Sequence, residues 1–167
     1  MLQPVRRRTW APRGQTPIQR VWDRHDRWSV ISALTLSPNR RRIGFWFDLH
    51  DQNIKAPQLM EFLRELRRQT RRKMIVVCDR YSVHRSALKQ LLASGCTWLQ
   101  MEWLPAYAPD LNPVEAVWQH IKHAELANFI PNDKQHLFDV VADSLDAIYF
   151  ERNLKRCFFD RAELSLE

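Results

Sequence analysis

The sequence predicts an α/β protein built on a mixed sheet with helices on its faces. Two early segments are rich in β-branched and aromatic residues and are joined by the turn-forming stretch PNRR, which is typical of a β-hairpin. After them, helix-like and strand-like segments alternate, as they do where parallel strands are joined by helices. The 167 residues, 45% hydrophobic and 27% charged, suffice for one domain with a sizeable core.

Each element has its own signal. Residues 1–20 are basic and interrupted by prolines and a glycine, which predicts an irregular arm. Leucines and a phenylalanine at helical spacing predict the first helix, and the run KMIVVCD is typical of a short buried strand of a parallel sheet. Gly95 is expected to close the second helix. The predicted order is strands 27–37 and 41–50, helix 56–69, strand 73–79, helix 86–95, strand 97–104, a helix opened by Asn112 and Pro113, and helix 133–150.

Charge and cysteine usage narrow the class of protein. There are 26 Lys and Arg residues against 19 Asp and Glu, and the net charge of +7 favours a nucleic-acid partner, although a merely solvated basic surface is the alternative. The three cysteines have no CxxC spacing and are expected to be reduced thiols, two of them in the core. No apolar run is long enough to cross a bilayer, so we expect a cytoplasmic, nucleoid-associated protein without a membrane partner.

Asp79 is the first candidate site residue. It follows the apolar run MIVVC, and ligands of open α/β sheets bind outside the carboxyl ends of the strands. The alternative is an Asp that only starts a turn, which is common.

Glu115 is the second candidate. With Asn112 as N-cap and Pro113 at the first helical position, it occupies the third position, where a capping-box glutamate would lie. The same first turn also stabilises an ionised carboxylate, which suits a metal ligand. Trp118 and Lys122 share its helix face, either as packing and a solvated tip or as a DNA-facing surface.

Together the two carboxylates suggest phosphodiester chemistry. Such reactions commonly use two divalent ions about 4 Å apart, held by carboxylates, and Mg²⁺ or Mn²⁺ accepts a few oxygen ligands and keeps its waters. His84, His120 and His123 lack zinc-site spacing and are interpreted as polar surface or phosphate contacts.

The stretches VVCDRYSVHRS and LPAYAPDLNPVEAVWQHIK resemble the DDE transposases of the IS630 and Tc1-mariner group. In that family a strand-ending Asp precedes a His-containing helix start, and a proline-rich loop delivers a Glu. The interval of 35 residues between Asp79 and Glu115 is similar to the family's interval, and WAPRGQTP at 10–17 resembles the segment after the family's first catalytic Asp. The resemblance implies an RNase H-like fold and magnesium-dependent DNA strand transfer, with Asp79 and Glu115 as catalytic metal ligands. It also makes Arg80, His84, Arg85, Trp118 and Lys122 candidate DNA contacts.

The resemblance also shows that one catalytic residue of the family has no counterpart in this sequence. The family's first Asp lies on a strand upstream of the WAPRGQTP segment, and only residues 1–9, none acidic, precede that segment here. We therefore expect residues 21–167 to be a partial RNase H-like catalytic domain without its first central strand, inactive alone unless another chain or reading frame supplies the Asp. Asp23, Asp26 and Asp48 are weak substitutes, with Asp48 the best of them. Arg80 replaces the Asn usual in the family and puts a cation beside the metal site.

Two other functions stay open at this point. One is a catalytically inactive remnant that binds DNA through the basic clusters Arg6–Arg8, Arg40–Arg42 and Arg71–Lys73. Runs of charge, however, are usually only solvated surface. The other is a nuclease of the same fold that does not transpose.

Overall fold

The computed structural model describes residues 5, 7–8, 10–15, 18, 27–164 and 166. Arg6, Asp23, Asp26 and much of the predicted arm lie outside the described residues. Within the described part of the chain, no helix is long and apolar enough to cross a membrane.

The predicted hairpin is confirmed. Strands β1 (Ser29–Leu36) and β2 (Ile43–His50) pair antiparallel, with Ser29 opposite His50 and Leu36 opposite Ile43. The connecting turn is closed by polar bonds: the Ser37 hydroxyl donates to Asn39 Oδ1 at 2.7 Å and accepts from the Arg42 backbone N–H at 3.0 Å. The exposed arginines at 40–42 therefore project from a well-defined turn.

A parallel β-α-β unit follows. Helix α1 (Ala56–Thr70) leads to strand β3 (Met74–Cys78), and helix α2 (Ser82–Ala93) leads to strand β4 (Leu99–Trp103). Strands β3 and β4 are parallel, with Met74 opposite Leu99 and Cys78 opposite Trp103. Gly95 has a φ of +78°, the left-handed conformation expected after a helix. Helix α2 begins four residues before the predicted start, because the polar stretch SVHR, which lacks a helical apolar stripe, is helical here.

The last part of the chain is helical. A 3₁₀ turn (Pro109–Leu111) precedes helix α3 (Pro113–His120), which runs into a single π-helical turn (Ile121–Glu125). Helix α4 (Lys134–Phe150) matches the predicted last helix. Helix α5 (Arg152–Arg161) was not predicted, although Leu154, Phe158 and Phe159 pack inward at helical spacing.

Two apolar clusters lie on opposite faces of the hairpin. On one face, Ile31 packs with α1, α2 and Leu99 of β4. On the other face, Phe45 packs with Val117 of α3 and with apolar residues of α4 and α5. Because strand side chains alternate between faces, the hairpin is covered on both sides, and α1 and α2 form one layer that also covers Val76 and Met101 of the second sheet.

The strands form two small sheets rather than one continuous mixed sheet. Among the described residues, β1 pairs only with β2, and β3 pairs only with β4. Each of the four strands therefore has one edge without a strand neighbour among the described residues. The predicted absence of a central strand stays a prediction.

Strand β3 is not the buried strand that its apolar run predicted. Ile75 is 67% exposed and Val77 58% exposed, whereas Val76 packs against the α1–α2 layer. Gln100 and Glu102, which lie opposite Ile75 and Val77 on β4, are exposed as well. We call this side of the β3–β4 sheet, carrying Ile75, Val77, Gln100 and Glu102, the open face. The prediction was wrong because an apolar run shows only that a strand can be covered on both faces, whereas the described elements cover one.

Part of the arm is docked on the body of the protein. Val5 forms an isolated bridge with Ala127, and its carbonyl accepts from the Asn128 N–H at 2.9 Å. The Arg7 N–H donates to Asn128 Oδ1 at 2.8 Å, and Arg7 Nη1 donates to the carbonyl of His123 at 2.9 Å. The Arg7 guanidinium is thus bonded to the π turn, whereas Arg8, which is exposed as Arg7 is, has no bonded partner among the described residues.

Candidate active site

Asp79 lies directly after β3, at the carboxyl end of the parallel pair. Its neighbourhood is tied to the end of β4, because the Leu104 N–H donates to the Cys78 carbonyl at 2.9 Å. Its side chain is 55% exposed. If the strand alternation is continued by one residue, Asp79 lies on the side of the open face.

The Asp79 carboxylate is held at one of its two oxygens. Oδ1 accepts from the Tyr81 backbone N–H at 3.0 Å and from His84 Nδ1 at 2.7 Å. His84 Nδ1 also lies 3.2 Å from the Asp79 carbonyl oxygen. Among the described residues none donates to Oδ2, so this oxygen is available to a ligand.

The thiol of Cys78, at the end of β3, has a raised pKa. Burial, and to a smaller degree the negative charge of Asp79, raise the pKa of the Cys78 thiol to about 11. This thiol is therefore protonated and unreactive at neutral pH. All three cysteines are free; Cys78 and Cys96 are half-buried and Cys157 is exposed.

Glu115 is placed by the local chemistry of the loop before α3. The Asn112 side chain accepts from the Val114 N–H at 3.2 Å, which confirms Asn112 as the N-cap. The Asn112 N–H is already bonded to the Pro109 carbonyl at 2.9 Å, within the 3₁₀ turn. The reciprocal bond of a capping box would need that same N–H. The 3₁₀ turn thus supplies the acceptor that the Glu115 side chain would supply in a capping box, and the carboxylate is left for another role.

Glu115 lines a shallow depression that sequence reasoning did not anticipate. Its other polar walls come from Asp110, Asn112, Gln119 and Arg161. Arg161, the last residue of α5, donates to Gln119 Oε1 at 3.2 Å. Arg161 was missed because α5 was not predicted; the amphipathic pattern of RNLKRCFFDRA was the signal that would have indicated it.

Asp79 and Glu115 belong to elements on the same side of the molecule. Helix α3 packs on the hairpin face that carries Phe45, opposite the face that carries Ile31. The open face of β3–β4 is likewise opposite the α1–α2 layer. This common side is compatible with both carboxylates reaching one metal centre, and their approach to roughly 4–7 Å around shared ions remains a prediction.

Asp48 is poorly placed as a substitute carboxylate. It lies opposite Ile31 in the hairpin, on the face turned toward α1, and its Oδ2 is 3.0 Å from His50 Nε2. Glu115 belongs to a helix on the other face. Within the described ranges, no group of three or more His, Cys, Asp or Glu residues is arranged to hold a metal ion.

The five predicted DNA contacts have different surroundings. Arg80 and Arg85 are exposed beside Asp79, and Lys122 is half-buried in the π turn. Trp118 is half-buried and packs against the core cluster around Phe45, so only part of its ring is left for DNA. His84 is bonded to Asp79.

The comparison with protein families identifies the chain. A model described as DDE superfamily endonuclease matches residues 1–137. The chain belongs to this family. The predicted resemblance is thereby confirmed at the level of the DDE superfamily, on a match that contains both Asp79 and Glu115.

The comparison with solved structures confirms the RNase H-like fold. A chain of the crystal structure of the Mos1 strand transfer complex superposes with a TM-score of 0.59 at 18% sequence identity. The match covers 96% of this chain and 46% of the Mos1 chain, so this DDE endonuclease chain spans about half the length of that protein. No curated protein matches the chain.

Proposed function

We propose that this DDE endonuclease domain carries out metal-dependent cleavage and transfer of DNA strands in the transposition of an insertion sequence of the IS630 type. The observation that carries the proposal is the start of α3: the PDLNPVE segment caps its helix with Asn112 and leaves the Glu115 carboxylate free of the capping bond. A second carboxylate, Asp79, directly follows a parallel strand within the same family match. Such a protein would act on DNA in the cytoplasm, at the nucleoid.

The donor set fits Mg²⁺ or Mn²⁺. Asp79 offers a free Oδ2 at the surface and Glu115 offers a half-buried carboxylate, and oxygen ligands of this kind suit these hard cations. When bound, the ions activate the attacking oxygen and stabilise the leaving one. Two carboxylates alone would hold such an ion weakly, with water in the rest of its coordination shell.

Exposed cations near the carboxylates would hold the DNA. Arg80 and Arg85 lie beside Asp79 and can bind phosphates, with Lys122 and the accessible part of Trp118 contributing from the α3 side. The cluster at Arg71–Lys73 lies at the other end of β3, about 20 Å from Asp79 if each strand residue advances 3.3 Å. It would bind DNA away from the scissile phosphate.

A third carboxylate would complete the site. The family resemblance places the first catalytic Asp on a central strand, and the edges of β1 and β3 without strand neighbours in the described structure can accept one. We infer that a further segment, belonging to a longer chain or to a second chain, inserts this strand and its Asp. The 167 residues by themselves are then expected to bind DNA without cutting or joining it.

Nicking of DNA in Mg²⁺ or Mn²⁺ tests this proposal. The 167-residue chain should give no product, and addition of a segment that bears the first strand and its Asp should restore cutting. Asp79→Asn and Glu115→Gln should each abolish the restored activity, whereas Asp110→Asn, in the same depression as Glu115, serves as the charge-matched control. Cleavage by the chain alone that is lost on Asp48→Asn would contradict the proposal.

The competing candidate is a DNA-binding remnant without activity. It is favoured by one observation: within the described ranges, no three acidic or histidine side chains form a metal-binding group. Failure of every completed form to cut DNA, with DNA binding retained, would favour this candidate. Cutting without strand joining would instead indicate a nuclease of the same fold.

A further inference from the structure

His84 makes a contact that its expected role on DNA does not require. It is the third residue of α2, and its Nδ1 faces Asp79, the residue directly after β3. Nδ1 faces two acceptor oxygens, Asp79 Oδ1 at 2.7 Å and the Asp79 carbonyl at 3.2 Å. Since both neighbours can only accept, Nδ1 must carry the proton and donate.

The imidazole also contacts an aromatic ring. The ring of Tyr81 meets it edge-on, with the ring centroids 5.9 Å apart. The Tyr81 backbone N–H donates to the same Asp79 Oδ1 at 3.0 Å. The Tyr81 backbone N–H and His84 Nδ1 thus both donate to the same carboxylate oxygen, Asp79 Oδ1.

We propose that His84 is a positioning residue: it fixes the Asp79 carboxylate through Oδ1, so that Oδ2 is the oxygen presented to the metal. A carboxylate held at one oxygen loses rotational freedom before the metal binds, and therefore binds it with a smaller loss of entropy. Outer partners of this kind commonly contribute 10–100-fold to metal affinity. This inference rests on the proposed function, because it assigns to His84 a role in the same metal site.

Three replacements of His84 separate the effect of the Nδ1 hydrogen-bond donor from the effect of the imidazole ring. The amide of His84→Asn places an N–H near the position of Nδ1 and should keep the Asp79 bond. The amide of His84→Gln reaches instead toward the position of Nε2, and His84→Ala has no donor. Manganese affinity of the 167-residue chain, measured with Mn²⁺ alone by electron paramagnetic resonance, should fall at least about tenfold for the Ala and Gln variants and stay within about threefold for Asn. Thermal unfolding of each variant checks that α2 is intact.

DNA binding without metal gives the second measurement. In EDTA, His84→Ala should bind a short duplex as well as the wild type does, whereas a phosphate contact would be lost. Unchanged Mn²⁺ affinity in His84→Ala, or weakened metal-free DNA binding, would overturn the positioning role. Asp79→Asn distinguishes failure of the His84 positioning role from failure of the proposed metal site. If Asp79→Asn weakens Mn²⁺ binding and His84→Ala does not, only the positioning role fails. If Asp79→Asn has no effect on Mn²⁺ binding, the proposed metal site itself fails.

Discussion

Asn112 shows how a single side chain in the loop determines what the next carboxylate can do. Its side chain caps α3 and its N–H is bonded to Pro109, so Glu115 is released from the capping box. Asn112→Ala should lower the free energy of unfolding by about 1 kcal/mol, and Asn112→Gly by only a few tenths. Urea denaturation measures both. Asn132→Ala, at an exposed asparagine next to the α4 cap Asp133, is the control; an equal loss there would contradict the cap.

The cysteines give a second prediction at the scale of residues. With its pKa near 11, Cys78 has roughly one thiol in a thousand ionised at pH 8, so iodoacetamide should modify the exposed Cys157 long before it. Asp79→Asn should lower the pKa of Cys78 only in part, because burial is the larger cause. The pH dependence of alkylation in EDTA, followed by mass spectrometry, checks both statements. Equal rates at Cys78 and Cys157 would contradict them.

Among the elements, β3 is the one whose surroundings differ most from its sequence pattern. Ile75→Thr and Val77→Thr on the open face should change the free energy of unfolding by less than about 0.5 kcal/mol. Leu91→Ala, whose leucine is 1% exposed in the α1–α2 layer, should cost about 2–5 kcal/mol. Chemical denaturation compares them. A large loss from Val77→Thr would show that the open face is covered in solution.

Two neighbouring arginines of the arm, Arg7 and Arg8, provide a matched pair of substitutions. Both Arg7 and Arg8 are exposed, but only Arg7 is bonded to the His123 carbonyl. Arg7→Ala should therefore accelerate hydrogen exchange in residues 123–128 with little effect on DNA affinity. Arg8→Ala should leave this exchange unchanged and weaken DNA binding. Exchange followed by mass spectrometry and a DNA titration distinguish them, and the reverse pattern would contradict the docking.

For the whole molecule, charge sets the expected behaviour. A net charge of +7, with arginines on the 37–42 turn and after α1, should give DNA binding that is independent of sequence and falls steeply as salt rises, because released counterions drive it. Titration of two unrelated duplexes at several salt concentrations measures this. Binding that is insensitive to salt, or undetectable at low salt, would show that the basic surface is only solvated.

The sequence by itself determined the hairpin, the alternating β-α-β unit and the Asn112 cap, because turn chemistry, side-chain periodicity and capping act over a few residues. The roles of Asp79 and Glu115 stay predictions. Tertiary structure alone decided the rest. The open face of β3 depends on which elements cover it, and α5 and Arg161 reach the depression beside Glu115 through packing between distant segments. The bond from His84 to Asp79 depends on α2 starting at Ser82, and the division into two sheets depends on long-range strand pairing. Local patterns specify the elements, whereas contacts between residues far apart in the chain specify what each element faces.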